Sequence, residues 1–311
     1  MDKKNIKWIG NVFTILAIVF LIKKMLSINV EYSSLLTTSN IFYLTVFSTL
    51  YGFHIYMVCI SWKTIVYIIT QKKVKFSSAS LVLCKANLLK YIPGNVFQYV
   101  GRNDLAVKED LKHADVALAT MIDIIMNILG VFFLAVLCYS SGAIILLEEY
   151  GTNLLKAGLV LLFIVIIAVG IIYRFFKAKC KQFIFKIRVF FTKKNILYII
   201  ACLMYYFFWG IFTGFIFIGV LTQIVGISLD FHQSRIILGA FLLSWILGFI
   251  MPGAPGGIGI REASLTLMLN SFSNVESILF GIVIYRIVNV FGDLIGLLFA
   301  RITCICVENK E

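Results

Sequence analysis

The chain has 311 residues, 61% of them hydrophobic and only 14% charged, with a formal net charge of +13. Soluble domains carry about 25% charged residues, so the composition excludes a soluble globular fold and describes an all-α polytopic integral membrane protein. The excess Lys and Arg lies between the apolar runs, as the cytoplasmic loops of membrane proteins require, and no basic, aromatic-lined soluble surface exists to read bases; nucleic acid is excluded as a partner.

A helix needs about 20 apolar residues to cross a hydrocarbon core of about 30 Å. The first such run covers about 6 to 22; a basic start and Lys23-Lys24 without a small-residue cleavage site make it an uncleaved span. A second span runs from about 41 to 60 and is followed by Lys63, Lys72, Lys73 and Lys75. The segment 77 to 112 is too interrupted to be an ordinary span. A third span covers about 116 to 138, the acidic Glu148-Glu149 loop follows, and a fourth covers about 154 to 173. The loop 174 to 194 holds eight Lys and Arg residues with no acid, which places it in the cytoplasm. A fifth span lies at about 196 to 220, a second interrupted segment at 235 to 272, and a last span at about 277 to 300.

The two interrupted segments share one device. All three prolines of the chain lie in them, Pro93 in the first and Pro252 and Pro255 in the second. Pro93-Gly94 leads to Arg102 nine residues on, and Pro252-Gly253 leads to Arg261 nine residues on, with Asp104 or Glu262 close behind. Proline removes a backbone donor and glycine loosens the backbone, so neither segment continues as one helix. Pro93 and Pro252 are 159 residues apart (252 minus 93), and shifting by 159 carries span two onto span five and span three onto the last span, with span one overlapping only the end of span four. The expectation is one membrane domain, 1–311, made of two repeats: 1–150 with a hairpin at about 77–112, and 151–311 with a hairpin at about 235–272. With about six spans and two re-entrant hairpins, each repeat crosses an odd number of times and the second is inverted. Both termini then fall in the cytoplasm of a cell-membrane protein, and Lys23-Lys24 on the outer side fit this topology poorly. Inverted repeats with broken helices meeting near the midplane are a recurring transporter architecture.

These residues resemble a known family. Lys90, Pro93, Gly94 and Arg102, followed by Pro252, Pro255, Gly256, Gly257, Gly259, Arg261 and Glu262, are similar to the paired segments of the lysylphosphatidylglycerol synthase transmembrane family, a flippase-like group also called UPF0104. The resemblance covers nearly the whole chain. Its better-known members carry a cytoplasmic aminoacyl-transferase domain after the membrane region; with the sequence ending at Glu311 that domain is expected to be absent, so no enzyme activity is expected. What the resemblance implies is translocation of an anionic phospholipid or a lipid-linked saccharide between leaflets. The alternative is a non-transporting membrane subunit that scaffolds an envelope glycosyltransferase or lipid-modifying enzyme. The oligomeric state stays open.

The chemistry of such a site follows from the breaks. A half-helix starting near Val96 and another near Ile258 would present free N–H groups and a positive dipole end to a phosphate. Gly94, Gly256, Gly257 and Gly259 would let it approach the backbone, and Arg102 and Arg261 would add bidentate charge. Nine residues span about 13 Å, so both arginines could instead sit at the cavity mouth, or snorkel to head groups. Glu262 and Asp104 read equally as salt-bridge partners of a nearby Arg. Asp123 with Asn127, and Arg286 with Asp293, are intramembrane polar pairs on shared helix faces; they read as an Asp123–Arg286 bridge between equivalent helices or as a proton path. The aromatic run Tyr205-Tyr206-Phe207-Phe208-Trp209 reads as a lipid-facing or interfacial belt. The seven cysteines form no CxxC pair and read as apolar fillers, and the three histidines show no ligand spacing, so neither a metal nor another cofactor is expected.

Overall fold

The computed structural model describes residues 37–91, 96–107, 109–139, 190–250, 257, 259–269, 272 and 275–308. The described residues form α1 (Thr38–Met57), α2 (Cys59–Thr70), α3 (Phe76–Asn87) with a 3₁₀ turn Leu88–Tyr91, α4 (Phe97–Val107) and α5 (His113–Cys138). After these come α6 (Ile196–Gly219) with a π-helical turn Val220–Ile224, α7 (Phe231–Ile250), α8 (Ile260–Met268) and α9 (Val275–Glu308). There is no strand among them, as the composition requires: with no water to satisfy backbone groups, an apolar chain crosses lipid as helices unless it closes a barrel.

Five helical stretches are long and apolar enough to cross a membrane: Thr38–Thr70, His113–Cys138, Lys193–Ile224, Phe231–Ile250 and Val275–Val307. The spans expected at 41–60, 116–138, 196–220 and 277–300 each fall inside one of them. Those expected at 6–22 and 154–173, the Glu148-Glu149 loop and most of the basic loop 174–194 lie outside the described residues, as do Pro93, Gly94, Pro252, Pro255 and Gly256.

The second interrupted segment differs from the expected pair of short hairpin arms. It begins with α7, whose 20 residues reach about 30 Å and suffice to cross. The helix is started by Asp230 and Gln233, where the Asp230 carboxylate accepts from Gln233 N at 2.7 Å and the Gln233 amide oxygen accepts from Asp230 N at 3.2 Å, a reciprocal cap. Gly239 and Gly248 do not end it, because each is wedged against a neighbour: an added Cβ would lie 2.6 Å from the Tyr139 Cβ and 2.7 Å from the Arg261 Cγ, respectively.

Helix pairs in lipid gain little from hydrophobicity, so close packing through small residues has to hold them. The tightest crossing joins α1 and α9. A Cβ on Gly52 would meet the Gly292 carbonyl oxygen at 2.8 Å, and one on Gly296 would meet the Gly52 carbonyl oxygen at 2.9 Å. Gly292 and Gly296 are one helical turn apart and present a glycine groove to Gly52. Farther along, Tyr56 and Thr303 hydrogen-bond at 2.7 Å.

The buried apolar side chains form two clusters stacked along the helix axes. One takes Cys59 and Trp62 from the Thr38–Thr70 span, Val116 to Met126 from α5 and Ile199 to Tyr206 from α6. The other takes Phe47 and Tyr51, then Val131 to Tyr139, then Ile216 and Phe217 from the same three spans. Between the two layers, near the middle of each span, the side chains turn polar: His54, Asn127 and Thr213 all line a single cavity. Phe133, Leu197, Phe208 and Phe215 are exposed on the outer surface, where acyl chains would cover them.

Candidate functional site

The mid-height cavity has a volume of about 210 Å³. Both interrupted segments reach it. Lys90 and Arg102 enter from the first, Arg261 from the second, and Asp123, Asn127 and Arg286 from the spans that follow them. Arg102 and Arg261 therefore line a cavity between the helices; snorkelling out to head groups does not describe them.

Three buried ion pairs organise the charges. Arg102 Nη1 lies 3.0 Å from Asp123 Oδ2, and Asp123 Oδ1 also accepts from Tyr206 OH at 2.5 Å and from Ser61 Oγ at 3.2 Å. Arg286 Nη2 lies 2.9 Å from Glu262 Oε1 and donates to the Gly257 carbonyl oxygen at 3.4 Å. Lys90 Nζ lies 2.6 Å from Asp293 Oδ2, with Asn87 Nδ2 donating to Asp293 Oδ1 at 2.7 Å and Tyr91 OH to Oδ2 at 2.5 Å. A buried carboxylate is tolerated only when charge and hydrogen bonds compensate it, and Asp293, with no exposure at all, has three donors.

The Asp123–Arg286 bridge read from the sequence is not made. Each broken segment packs on the span that follows it, α4 on α5 and α8 on α9, so each of these two spans finds its partner locally. Arg286 takes Glu262, and Asp123 takes Arg102. The pairing of Glu262 with a nearby arginine holds, the arginine being Arg286 and not its sequence neighbour Arg261. Asp104 is exposed and has no ion-pair partner among the described residues. Asp293 joins the two halves by reaching back to Lys90.

The local backbone explains the second segment. Gly257 sits at φ +71°, where an L side chain is strained, and a Cβ there would also lie 2.8 Å from both Cα and the carbonyl oxygen of Gly248. Gly259, at φ +86°, precedes α8, and its N–H donates to Glu262 Oε2 at 2.7 Å. Glu262 thus serves the helix start with one oxygen and Arg286 with the other. One of the N–H groups read as free for a phosphate is already occupied.

Arg261 is the exception. Its side chain runs over the Gly248 backbone, and among the described residues it has neither an ion-pair partner nor a hydrogen bond to its buried Nε. Buried without partners as well are Arg102 Nε, Arg286 Nε, His54 Nδ1 and Asn289 Oδ1.

The wall also holds aromatic residues that the sequence reading missed or misplaced. Tyr206 is 2% exposed and Trp209 lines the cavity with its ring tilted against that of His54, centroids 4.5 Å apart, so these two members of the 205–209 run face inward. Tyr205 OH donates to the Met57 carbonyl oxygen at 2.5 Å. Of the five, only Phe208 lies largely exposed. Their spacing carried the signal: Tyr206 and Trp209, three apart, share a face of α6 that Phe208 does not.

Fold and site together define a polytopic helical membrane protein whose spans enclose an ion-paired polar cavity at mid-height. The family model for the lysylphosphatidylglycerol synthase transmembrane region matches residues 8–296, and the chain belongs to that family. Its membrership ties the chain to the membrane side of lipid synthesis or flipping. No curated protein and no solved structure matches the chain.

Proposed function

We propose that the protein is a flippase-like transporter that moves an anionic phospholipid or a lipid-linked saccharide between leaflets, through a site formed where two inverted repeats meet. The observation that carries this reading is Arg261: a cation lining a cavity at mid-height of the spans, with no carboxylate in ion-pair contact among the described residues, the adjacent Glu262 being bonded to Arg286. A lone charge at that depth costs several kcal/mol, and the ordinary remedy is a counter-ion. A phosphate brings the negative charge and the acceptor oxygens that the open guanidinium donors lack. Lys90, Arg102 and Glu262 frame the site, and the backbone around Gly257 and Gly259 provides the approach. The protein sits in the cell membrane with both termini in the cytoplasm.

Reconstituting the protein in liposomes with labelled anionic phospholipids or polyprenyl-phosphate lipids tests this. Leaflet transfer above empty liposomes is expected, and Arg261→Gln should abolish it. No transfer for any of these lipids would overturn the reading in favour of a scaffold for an envelope enzyme.

A further inference from the structure

The charges around the cavity do not balance. Lys90, Arg102, Arg261 and Arg286 line it, and three of them are met by Asp293, Asp123 and Glu262. Arg261 remains. The chain has only 15 Asp and Glu residues, and those outside the described residues are Asp2, Glu31, Glu148, Glu149 and Glu311. The runs 6–22 and 154–173 and the broken stretches 92–95 and 251–256 contain no acid at all. None of these undescribed stretches can therefore supply a fixed counter-ion, and the remaining described acids do not line the cavity.

A charge at that depth costs several kcal/mol unless an opposite charge accompanies it. A lipid phosphate meets the need only while it is bound. A transporter has to reset after delivering its lipid, and the same guanidinium then faces the same cost. The partner at that stage must be mobile, small enough for a cavity of about 210 Å³, and singly charged, because one positive charge is in excess. Chloride fits this description, whereas the double charge of sulfate or hydrogen phosphate costs more to desolvate. Buried N–H donors without a partner are present at Arg102 Nε, Arg261 Nε and Arg286 Nε, and a spherical anion accepts from any direction.

We infer that chloride, or another small monovalent inorganic anion, occupies the Arg261 site whenever a lipid phosphate does not. The two displace each other, so the lipid step in one direction is matched by an anion moving in the other, and a chloride gradient drives lipid transfer. This rests on the anion-site reading above and adds the ion that resets the site.

The test takes the purified full chain in a non-ionic detergent and exchanges sodium chloride for sodium gluconate, a bulky and strongly hydrated anion, at constant ionic strength. The thermal unfolding midpoint and the tryptophan fluorescence should change saturably with chloride, since Trp209 and Trp245 line the cavity. The apparent affinity for dihexanoyl-phosphatidylglycerol should fall about tenfold when chloride is raised to about ten times its own dissociation constant, as two ligands of one site require. Arg261→Gln should remove the chloride effect and Arg261→Lys should keep it; neither breaks an ion pair, so both should fold. In liposomes an opposing chloride gradient should speed transfer of the labelled lipid. Identical midpoints and lipid affinities in chloride and gluconate would overturn the inference, and lipid transfer in the same liposomes would show that the lipid reading survives without it. A chloride effect retained by Arg261→Gln would mean an adventitious ion only, and would overturn the inference as well. Chloride bound at Arg261 with no lipid binding or transfer would overturn both the exchange and the lipid reading.

Discussion

The two interrupted segments follow one scheme with opposite charge. In the first, a device arginine, Arg102, meets a carboxylate on the next span, Asp123; in the second, a device carboxylate, Glu262, meets an arginine on the next span, Arg286. The arms differ too: α3 and α4 are 12 and 11 residues long, α7 and α8 are 20 and 9. Reversing the polarity has one outcome that sequence spacing hides. Arg102 and Arg261 occupy matching positions, yet Arg102 is consumed by a structural pair and Arg261 is left over. Matching positions in two segments of one pattern need not keep matching jobs.

Paired substitutions test this contrast. Removing one member of a buried pair costs about 3–5 kcal/mol, so Arg102→Gln and, most of all, Asp293→Ala should sharply lower the thermal unfolding midpoint in detergent. Arg261→Gln should leave that midpoint unchanged or raised while abolishing transport. Equal destabilisation by Arg102→Gln and Arg261→Gln would erase the distinction between the two segments. Next in size, Gly52→Leu forces apart the α1–α9 crossing and should cost about 1–3 kcal/mol, read from the same unfolding curves, without altering the charge pattern. A double-mutant cycle on Glu262 and Arg286 should return a coupling of about 0.5–3 kcal/mol, and a similar cycle on Arg261 and Glu262 a smaller one, since those two feel each other's charge without an ion-pair contact.

Much of this was legible in the sequence, and the remainder has physical reasons. Spans could be read because about 20 apolar residues are a property of the chain alone, and the broken segments because proline and glycine act locally. Arg102, Asp123, Arg261, Glu262, Arg286 and Asp293 stood out as charges in apolar surroundings. Their partners did not, because pairing depends on which helices pack together: Lys90 and Asp293 are 203 residues apart (293 minus 90) and bond only because the 3₁₀ turn after α3 meets α9. The length of α7 was hidden by Gly239 and Gly248, which weaken a lone helix but serve this one as contact points. Tyr206 and Trp209 were hidden by hydropathy, which scores an aromatic ring alike whether it faces acyl chains or a polar cavity.

Gly52, Gly292 and Gly296 bear on motion. Where backbone lies on backbone there are no rotamers to exchange, so α1 and α9, one from each half of the chain, behave as a single strut. For a transporter, rearrangements that open the cavity to one face and then the other would fall to the helices around it. A disulfide locking α1 to α9 should then leave turnover intact, while one locking α4 to α5 should stop it.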